Sequence, residues 1–274
     1  MIIQQYKQTP LAMAPDELSK AINKYTAHKS FVCNTLQDNA DIVHFHVKNI
    51  HTNKKQLIQY HTEPFRANLK YSFTKLVIAQ YHATLPEYSN CRIVRNIINF
   101  EEPLYNLNII DKIKIGFSPS VLVKYTDWYD KGYTKTKEIL DLLKSRYSIE
   151  YDIIHKVSLE ECINRKSKCN IIIDECVTKS YHRSGLEGLA LGKLTICSVG
   201  EDVNNIVKNI INSTLPFENV WIDDLYFSLE NIIKKGINYI NEVGYNNRNW
   251  MERYWHPKDI IKEYVNIYEE IYNG

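Results

Sequence analysis

Short β-branched apolar runs alternate along the chain with longer amphipathic stretches, the pattern of parallel strands joined by helices. In the first half the runs predict strands at Ile2–Tyr6, Ser30–Cys33, Asp41–Val47, Gln56–Tyr60, Lys75–Gln80 and Cys91–Asn96. Between the first two, Pro15 opens a helix over Pro15–Lys24, with Leu18, Ala21 and Ile22 as its apolar face. The rhythm breaks at Asn99-Phe-Glu-Glu-Pro-Leu-Tyr-Asn-Leu-Asn108, whose proline and asparagines mark a linker. A second series follows: strand Lys112–Phe117, helix Thr134–Arg146, strand Glu150–His155, helix Ser158–Arg165, strand Asn170–Asp174, helix Ser184–Leu191 and strand Leu194–Ser198. Ser158 and Glu161 stand at capping-box spacing. From Asp223 onward the pattern is helical, ending in Pro257–Tyr272 with Ile260, Ile261, Tyr264, Ile267, Tyr268 and Ile271 on one stripe.

Two successive βα series predict two doubly wound domains, one over residues 1–108 and a second from residue 109 onward. Ligands in such sheets bind beyond the carboxyl ends of the strands, and the cleft between two such domains is the expected site. The length of 274 residues fits two α/β domains of roughly 100–150 residues each.

Composition narrows the partners. The chain is 44% hydrophobic and 24% charged, with Lys+Arg 34 against Asp+Glu 32 and a formal net charge of +2, which disfavours disorder and a nucleic-acid tail. No apolar run approaches the roughly 18–20 residues of a membrane span, and Met1–Pro10 lacks a signal-peptide pattern, so a cytoplasmic protein is expected. Cysteines 33, 91, 162, 169, 176 and 197 form no Cys-x-x-Cys pair, which points to reduced, buried thiols.

Two segments carry candidate chemistry. After the strand Lys112–Phe117, Gly116 and Ser118 precede Asp130-Lys-Gly-Tyr-Thr-Lys135 at a helix start. This arrangement suits a phosphate or diphosphate, or is only a strand end and a solvated loop. Tyr181-His-Arg-Ser-Gly-Leu-Glu-Gly-Leu-Ala-Leu-Gly-Lys193 puts Arg183, Ser184, Gly185 and Glu187 in the first turn of a helix. There a carboxylate either accepts hydrogen bonds from a ribose diol or merely neutralises the helix end. His44 and His46 lie two apart on one strand face and, with His61 or His82, are conceivable zinc ligands, but no carboxylate or cysteine joins them.

These residues carry a resemblance. Ser184-Gly-Leu-Glu-Gly-Leu-Ala-Leu-Gly-Lys-Leu-Thr-Ile196 resembles the "G-x-x-x-E-A-x-A-x-G-x-P-V" segment of GT-B glycosyltransferases of the retaining family 4 type and their short phage-type relatives. Asp130-Lys-Gly132 is similar to that family's "E-K-G" loop, Asp41-Ile-Val-His-Phe-His46 to "D-V-V-H-x-H", and Gln59-Tyr-His-Thr62 to its "x-x-H-T/G" strand end. Arg95-Asn-Ile-Ile-Asn99 stands where the family has "P-N-G-V-D", and Trp250–Ile261 with Tyr268–Tyr272 resembles its closing helices, which cross back onto the first domain; the resemblance thus implies that 255–274 return to residues 1–108, with 109–254 as the donor-side domain. The resemblance implies a hexosyltransferase-like enzyme moving a sugar from a nucleotide-diphosphate donor to an acceptor hydroxyl, with retention. In that reading Glu187 meets the ribose, Lys131 and Arg183 the diphosphate, Gly116, Ser118, Ser184 and Gly185 offer close backbone approach, and His61 is the catalytic-side residue at the reacting sugar.

Departures accompany the likeness. The first Glu of the family's Glu-x7-Glu pattern falls at Lys179, the glycine-rich loop after the first strand is replaced by Thr9-Pro-Leu-Ala-Met-Ala-Pro15, and Ser118 and Pro119 stand where the family has an Arg. No Asp-x-Asp motif occurs, so no metal or other cofactor is expected and cationic groups are left to meet the leaving diphosphate. The acceptor is a carbohydrate or a modified base in DNA; for the latter Arg66, Lys70, Tyr71 and Lys75 near Phe65 either line a groove or are only the solvated face of an amphipathic helix. A noncatalytic nucleotide-sugar-binding protein is the other alternative, motivated by Lys179.

Overall fold

The alternating runs assemble into two wholly parallel sheets. The computed structural model describes residues 1–7, 13–61 and 68–274. Met1–Asn99 packs with Trp255–Gly274 as one compact unit, and Phe100–Tyr254 forms the other. The segment expected as a linker therefore joins the second unit from Phe100 on. The reason is local: Arg248 donates to the carbonyls of Phe100 and Tyr105, and Lys193 donates to that of Asn108.

In the first unit, strands β1 (Ile2–Tyr6), β2 (Lys29–Cys33), β3 (Ile42–His46), β4 (Lys55–Tyr60), β5 (Thr74–Ile78) and β6 (Arg92–Val94) lie in the order β2-β1-β3-β4-β5-β6. Helix α1 (Ala14–Tyr25) joins β1 to β2, with Pro15 in its first turn and Leu18, Ala21 and Ile22 buried. As the sequence pattern predicts, this is the one α-helix among the described crossovers of the sheet. The chain passes from β2 to β3 and from β3 to β4 without a helix, because residues 34–41 and 47–54 are polar and shorter than the 10–12 residues of a helical crossover. Val77, Val43, Phe45, Ile58 and Tyr60 on one sheet face pack instead under half-buried Leu36, Ile50, Leu85 and Cys91 from the connections.

Alternation along the strands sends Gln5, His44, His46 and Gln59 to the opposite face, with Gln5 level with His44 and His46 level with Gln59. That face receives helix α8 (Pro257–Asn273), whose Tyr264 and Tyr268 hydroxyls meet it, Gln59 donating to Tyr264 at 3.1 Å. Trp255, fully buried before α8, donates its indole N–H to the Asn96 carbonyl at 2.9 Å.

The second unit has the order β11-β10-β9-β7-β8, from strands β7 (Lys114–Phe117), β8 (Glu150–Ile153), β9 (Ile171–Glu175), β10 (Leu194–Cys197) and β11 (Glu218–Asn219). Its helices are α2 (Asp127–Asp130), α3 (Tyr133–Arg146), α4 (Leu159–Ser167), α5 (Arg183–Ala190), α6 (Glu201–Ile211) and α7 (Leu225–Tyr254). Ser158 caps α4, accepting from the Glu161 N–H at 3.2 Å as the spacing predicts. The short α2, α6 and β11 are additions to the elements predicted from the sequence pattern, and α7 bends at Gly236 (φ 84°, ψ 174°). Central β9 is buried along its whole length, and Ile171, Ile173, Leu194 and Ile196 form the core with Leu225, Leu229 and Ile232 of α7. Among the described residues no helix is long and apolar enough to cross a membrane.

In each sheet the first strand lies between the second and the third. The strand order reverses there, which opens a crevice at the carboxyl ends of β1 and β3 in one unit and of β7 and β9 in the other.

Candidate functional site

The second crevice gathers most of the candidate residues. Ser118 follows β7, and its hydroxyl is 2.8 Å from that of Ser184 in the first turn of α5. Lys166, in the last turn of α4, donates to Ser184 Oγ at 2.9 Å and to Glu187 Oε2 at 2.7 Å. Arg183 Nε holds the other oxygen, Glu187 Oε1, at 2.9 Å. Both Lys166 and Glu187 are buried, with side chains only 1% and 5% exposed. Burial alone pushes the Glu187 carboxyl up, but Lys166 and then Arg183 outweigh it and hold it below the usual carboxylate range. Burial likewise pulls Lys166 down, and its contact with Glu187 more than restores it. The pair is therefore charged on both sides, an arrangement that persists in an interior only when each partner is matched.

A second ion pair lies beside it. Asp130 folds the Asp130-Lys-Gly132 loop by accepting from the Tyr125 and Gly132 N–H groups, each at 2.9 Å. This sets Lys131 in the left-handed region (φ 54°) with its ammonium 2.8 Å from Asp174 Oδ1. Asp174 lies near the end of β9, and its other oxygen accepts the His182 N–H at 2.6 Å, at the start of α5. Burial works against this carboxylate, yet Lys131 and then His182 keep it below its ordinary range. Gly185 permits the approach, since a Cβ there would lie 2.7 Å from Asp174 Oδ2. Next along the strand, Glu175 is fully buried and pushed up to about 7, first by burial and then by the adjacent Asp174.

Ser118, Arg183, Ser184 and Glu187 thus share one hydrogen-bonded cluster, and Lys131 and Gly185 share Asp174. Gly116 stands apart. It is inside β7, level with Asp152 and Ile172, and a Cβ on it would come within 2.9 Å of Ile172 Cδ1 and 3.1 Å of Cys169 Sγ. Its bareness serves sheet packing. Lys166 lies just past the helix that the sequence pattern predicts, which stops at Arg165, and Asp174 reads there only as a strand end. A lysine in the last turn of a helix with an acidic start carries no sign that it will be buried, so only the register of α4 on α5 reveals it. Lys179, at the departure from the family pattern, lies in the left-handed region (φ 60°), its ammonium 5.4 Å from the Trp221 ring centre.

His61 belongs to the first unit, one residue beyond β4, where its Nε2 is 2.8 Å from His46 Nδ1. His46 Nε2 reaches Gln5 Oε1 at 2.9 Å, and His44 stacks on His46 with ring centres 4.3 Å apart. Burial lowers both His44 and His46 well below the usual imidazole range, so both are neutral. Among the described residues no group of three His, Cys, Asp or Glu is gathered as metal ligands. All six cysteines are free, Cys169, Cys176 and Cys197 buried and the others half-buried. Of the residues expected to line a DNA groove, Tyr71 stacks on Phe73 at 5.1 Å and Lys75 donates to the Leu69 carbonyl at 3.3 Å. Phe65 and Arg66, like Thr62 and residues 9–12 of the loop after β1, lie outside the described residues.

No family model and no curated protein matches the sequence. Among solved structures the chain is similar to a glycosyltransferase from Rickettsia africae ESF-5, at 15% identity and a TM-score of 0.61 with 98% of each chain covered. It is also similar to sucrose-phosphate synthase from Thermosynechococcus elongatus, at 10% identity and a TM-score of 0.60, covering 100% of this chain and 99% of that one. HepE of Anabaena, solved in complex with UDP, matches at 9% identity and a TM-score of 0.57, covering 98% and 99%. The two parallel Rossmann-like units are those of the GT-B fold, as the sequence resemblance implies.

Proposed function

We propose that the chain is a glycosyltransferase that takes its sugar from a nucleoside diphosphate donor bound at the β7–β9 crevice of the second unit. The observation that carries this reading is the buried cluster of Lys131, Lys166 and Arg183 with Asp174 and Glu187 at the first turn of α5. Three cations thus gather beside a helix N-terminus, where backbone N–H groups and the helix dipole favour an anion. Maintaining ion pairs inside a protein costs several kcal/mol per ion. A scaffold that needed only stability would fill this place with apolar side chains, whereas a diphosphate site needs the charges.

Glu187, held by Lys166 and Arg183, keeps lone pairs on both oxygens and accepts from a ribose diol. Arg183 and Lys131 meet the diphosphate, with Ser118, Ser184 and the backbone at Gly185 completing the cradle. Leaving-group charge is met by these cations, without a metal. His61, in the first unit, serves the reacting sugar or the acceptor hydroxyl, and the leaving phosphate takes the proton, a course that fits retention. The fold likeness supports the donor class, since HepE is solved with UDP and with UDP-glucose.

The test is a panel of sugar nucleotides read by thermal shift and by donor hydrolysis. Binding at a hundredfold excess over Kd stabilises the folded state by about 2.7 kcal/mol. Absence of a shift with every donor, or an unchanged shift in a folded Glu187→Ala variant, refutes the reading. Binding without turnover across acceptors points to the noncatalytic alternative.

A further inference from the structure

The hydrogen-bond directions around His46 follow from its partners. Gln5 Oε1 is a carbonyl oxygen and only accepts, so His46 Nε2, 2.9 Å away, carries the hydrogen. The Gln5 amide is held in this sense by its Nε2, which donates to Ser30 Oγ at 3.3 Å and to Tyr268 Oη at 3.4 Å. A neutral imidazole has one ring hydrogen, so His46 Nδ1 is a bare acceptor, and its neighbour at 2.8 Å, His61 Nε2, must be the donor.

We propose that His46 is a positioning residue for His61: it takes the His61 Nε2–H, fixes the ring's tautomer and orientation, and leaves Nδ1 as the nitrogen that His61 turns to any further partner. The ring positions agree: with centres 5.0 Å apart and planes 25° from parallel, His46 and His61 meet edge to edge through the 2.8 Å N···N contact, while His44 stacks on His46. His44 is tied in turn to α8 through Tyr268 Oη at 2.8 Å. The C-terminal helix thereby anchors a chain of side chains that ends on His61. The chain does not conduct a proton, because it stops at an amide oxygen that has no proton to pass on. Its effect is therefore positional. This inference rests on the proposed role of His61 for its consequence in catalysis, although the bond itself is independent of that role.

The experiment uses the full chain with 15N-labelled histidine. The expected spectrum shows His61 protonated at Nε2, with a scalar coupling across the hydrogen bond to His46 Nδ1. His46→Phe keeps a stacked ring but removes the acceptor. It is expected to abolish the coupling, speed exchange of the His61 ring hydrogen and lower donor turnover by about tenfold or more at little changed donor KM, the order expected from a misoriented reacting group. His46→Gln, whose amide oxygen again accepts from His61, is expected to recover part of the rate and also serves if the Phe variant does not fold. A wild-type spectrum with His61 protonated at Nδ1, or with no coupling to His46, overturns the proposal. So does wild-type turnover that the Phe variant reproduces. Failure of the wild type to bind or turn over any sugar nucleotide tells instead against the proposed function, while the spectrum still decides the positioning.

Discussion

Glu175 gives the structure a stability signature in the neutral pH range. Its carboxyl is fully buried and raised from 4.5 to about 7. In the unfolded chain the same group ionises near its ordinary value, so between roughly pH 4.5 and pH 7 the unfolded state gains charge that the folded state resists. The direction follows: a raised carboxyl stabilises the fold at low pH, and that contribution is lost as pH rises toward and through the folded value. At about 1.4 kcal/mol per unit, a difference of roughly 2.5 units amounts to roughly 3 kcal/mol between pH 4.5 and pH 8.

Glu175→Gln removes this dependence without breaking the local hydrogen bonds. In the native protein Oε2 accepts the N–H groups of Val177 at 2.7 Å and Thr178 at 2.6 Å, and Oε1 accepts from Ser198 Oγ at 3.0 Å. The glutamine oxygen takes the first pair, and its NH2 donates to Ser198, whose hydroxyl also accepts. Urea unfolding at intervals across this range is the assay, with the difference between the two proteins cancelling every other titrating group. The expected result is near-equality at the acid end and a variant more stable by roughly 3 kcal/mol at pH 8. Parallel pH profiles for the two proteins refute the reasoning, as does a variant destabilised at every pH.

Further outcomes follow from other contacts. Lys166→Met leaves Glu187 buried against Arg183 alone and is expected to cost about 3–5 kcal/mol in urea unfolding, while the double variant with Glu187→Leu costs markedly less than the sum of the single changes. Lys193 is buried and, chiefly by burial, lowered to about 8, so its folded form resists charge below that value; Lys193→Met is expected to stabilise the protein at about pH 6–7 and to lose this advantage above about pH 10. Gly236→Ala places a side chain at φ 84°, ψ 174°, where only glycine is comfortable, and is expected to lower stability by about 1–3 kcal/mol, read by thermal unfolding.

The legible parts of the molecule are those whose pattern is short-range. β1, a brief apolar start ahead of a helix-opening proline, and the capped start of α4 fall where the sequence places them, and the buried run of β9 reads directly as a central parallel strand. The crossovers of the first unit carry no periodic apolar face, and the sequence accordingly shows no helix there, but that Leu36 and Ile50 cover the sheet is seen only in the fold. In the site, Glu187 and Ser184 are legible from their local motif. Lys166 and Asp174 are not, since each acts on a residue distant in sequence, 21 positions away for Lys166–Glu187 and 43 for Lys131–Asp174.

At the same topological position the two crevices bury different groups. At β7 and β9 the charges survive burial because each finds an opposite charge close by, as Lys131 does at 2.8 Å and Lys166 at 2.7 Å. At β1 and β3 burial keeps the stacked imidazoles of His44 and His46 neutral, and they are matched by amide and phenol groups. Lys7, one residue past β1, brings a cation to this crevice as well, paired with Asp16 at 2.8 Å and lowering His46 further. Exchange of His46 or His44 for lysine places an ammonium where both rings are buried and is expected to destabilise the fold by several kcal/mol, read by urea unfolding, whereas exchange for glutamine costs less; equal cost for the two exchanges refutes the argument.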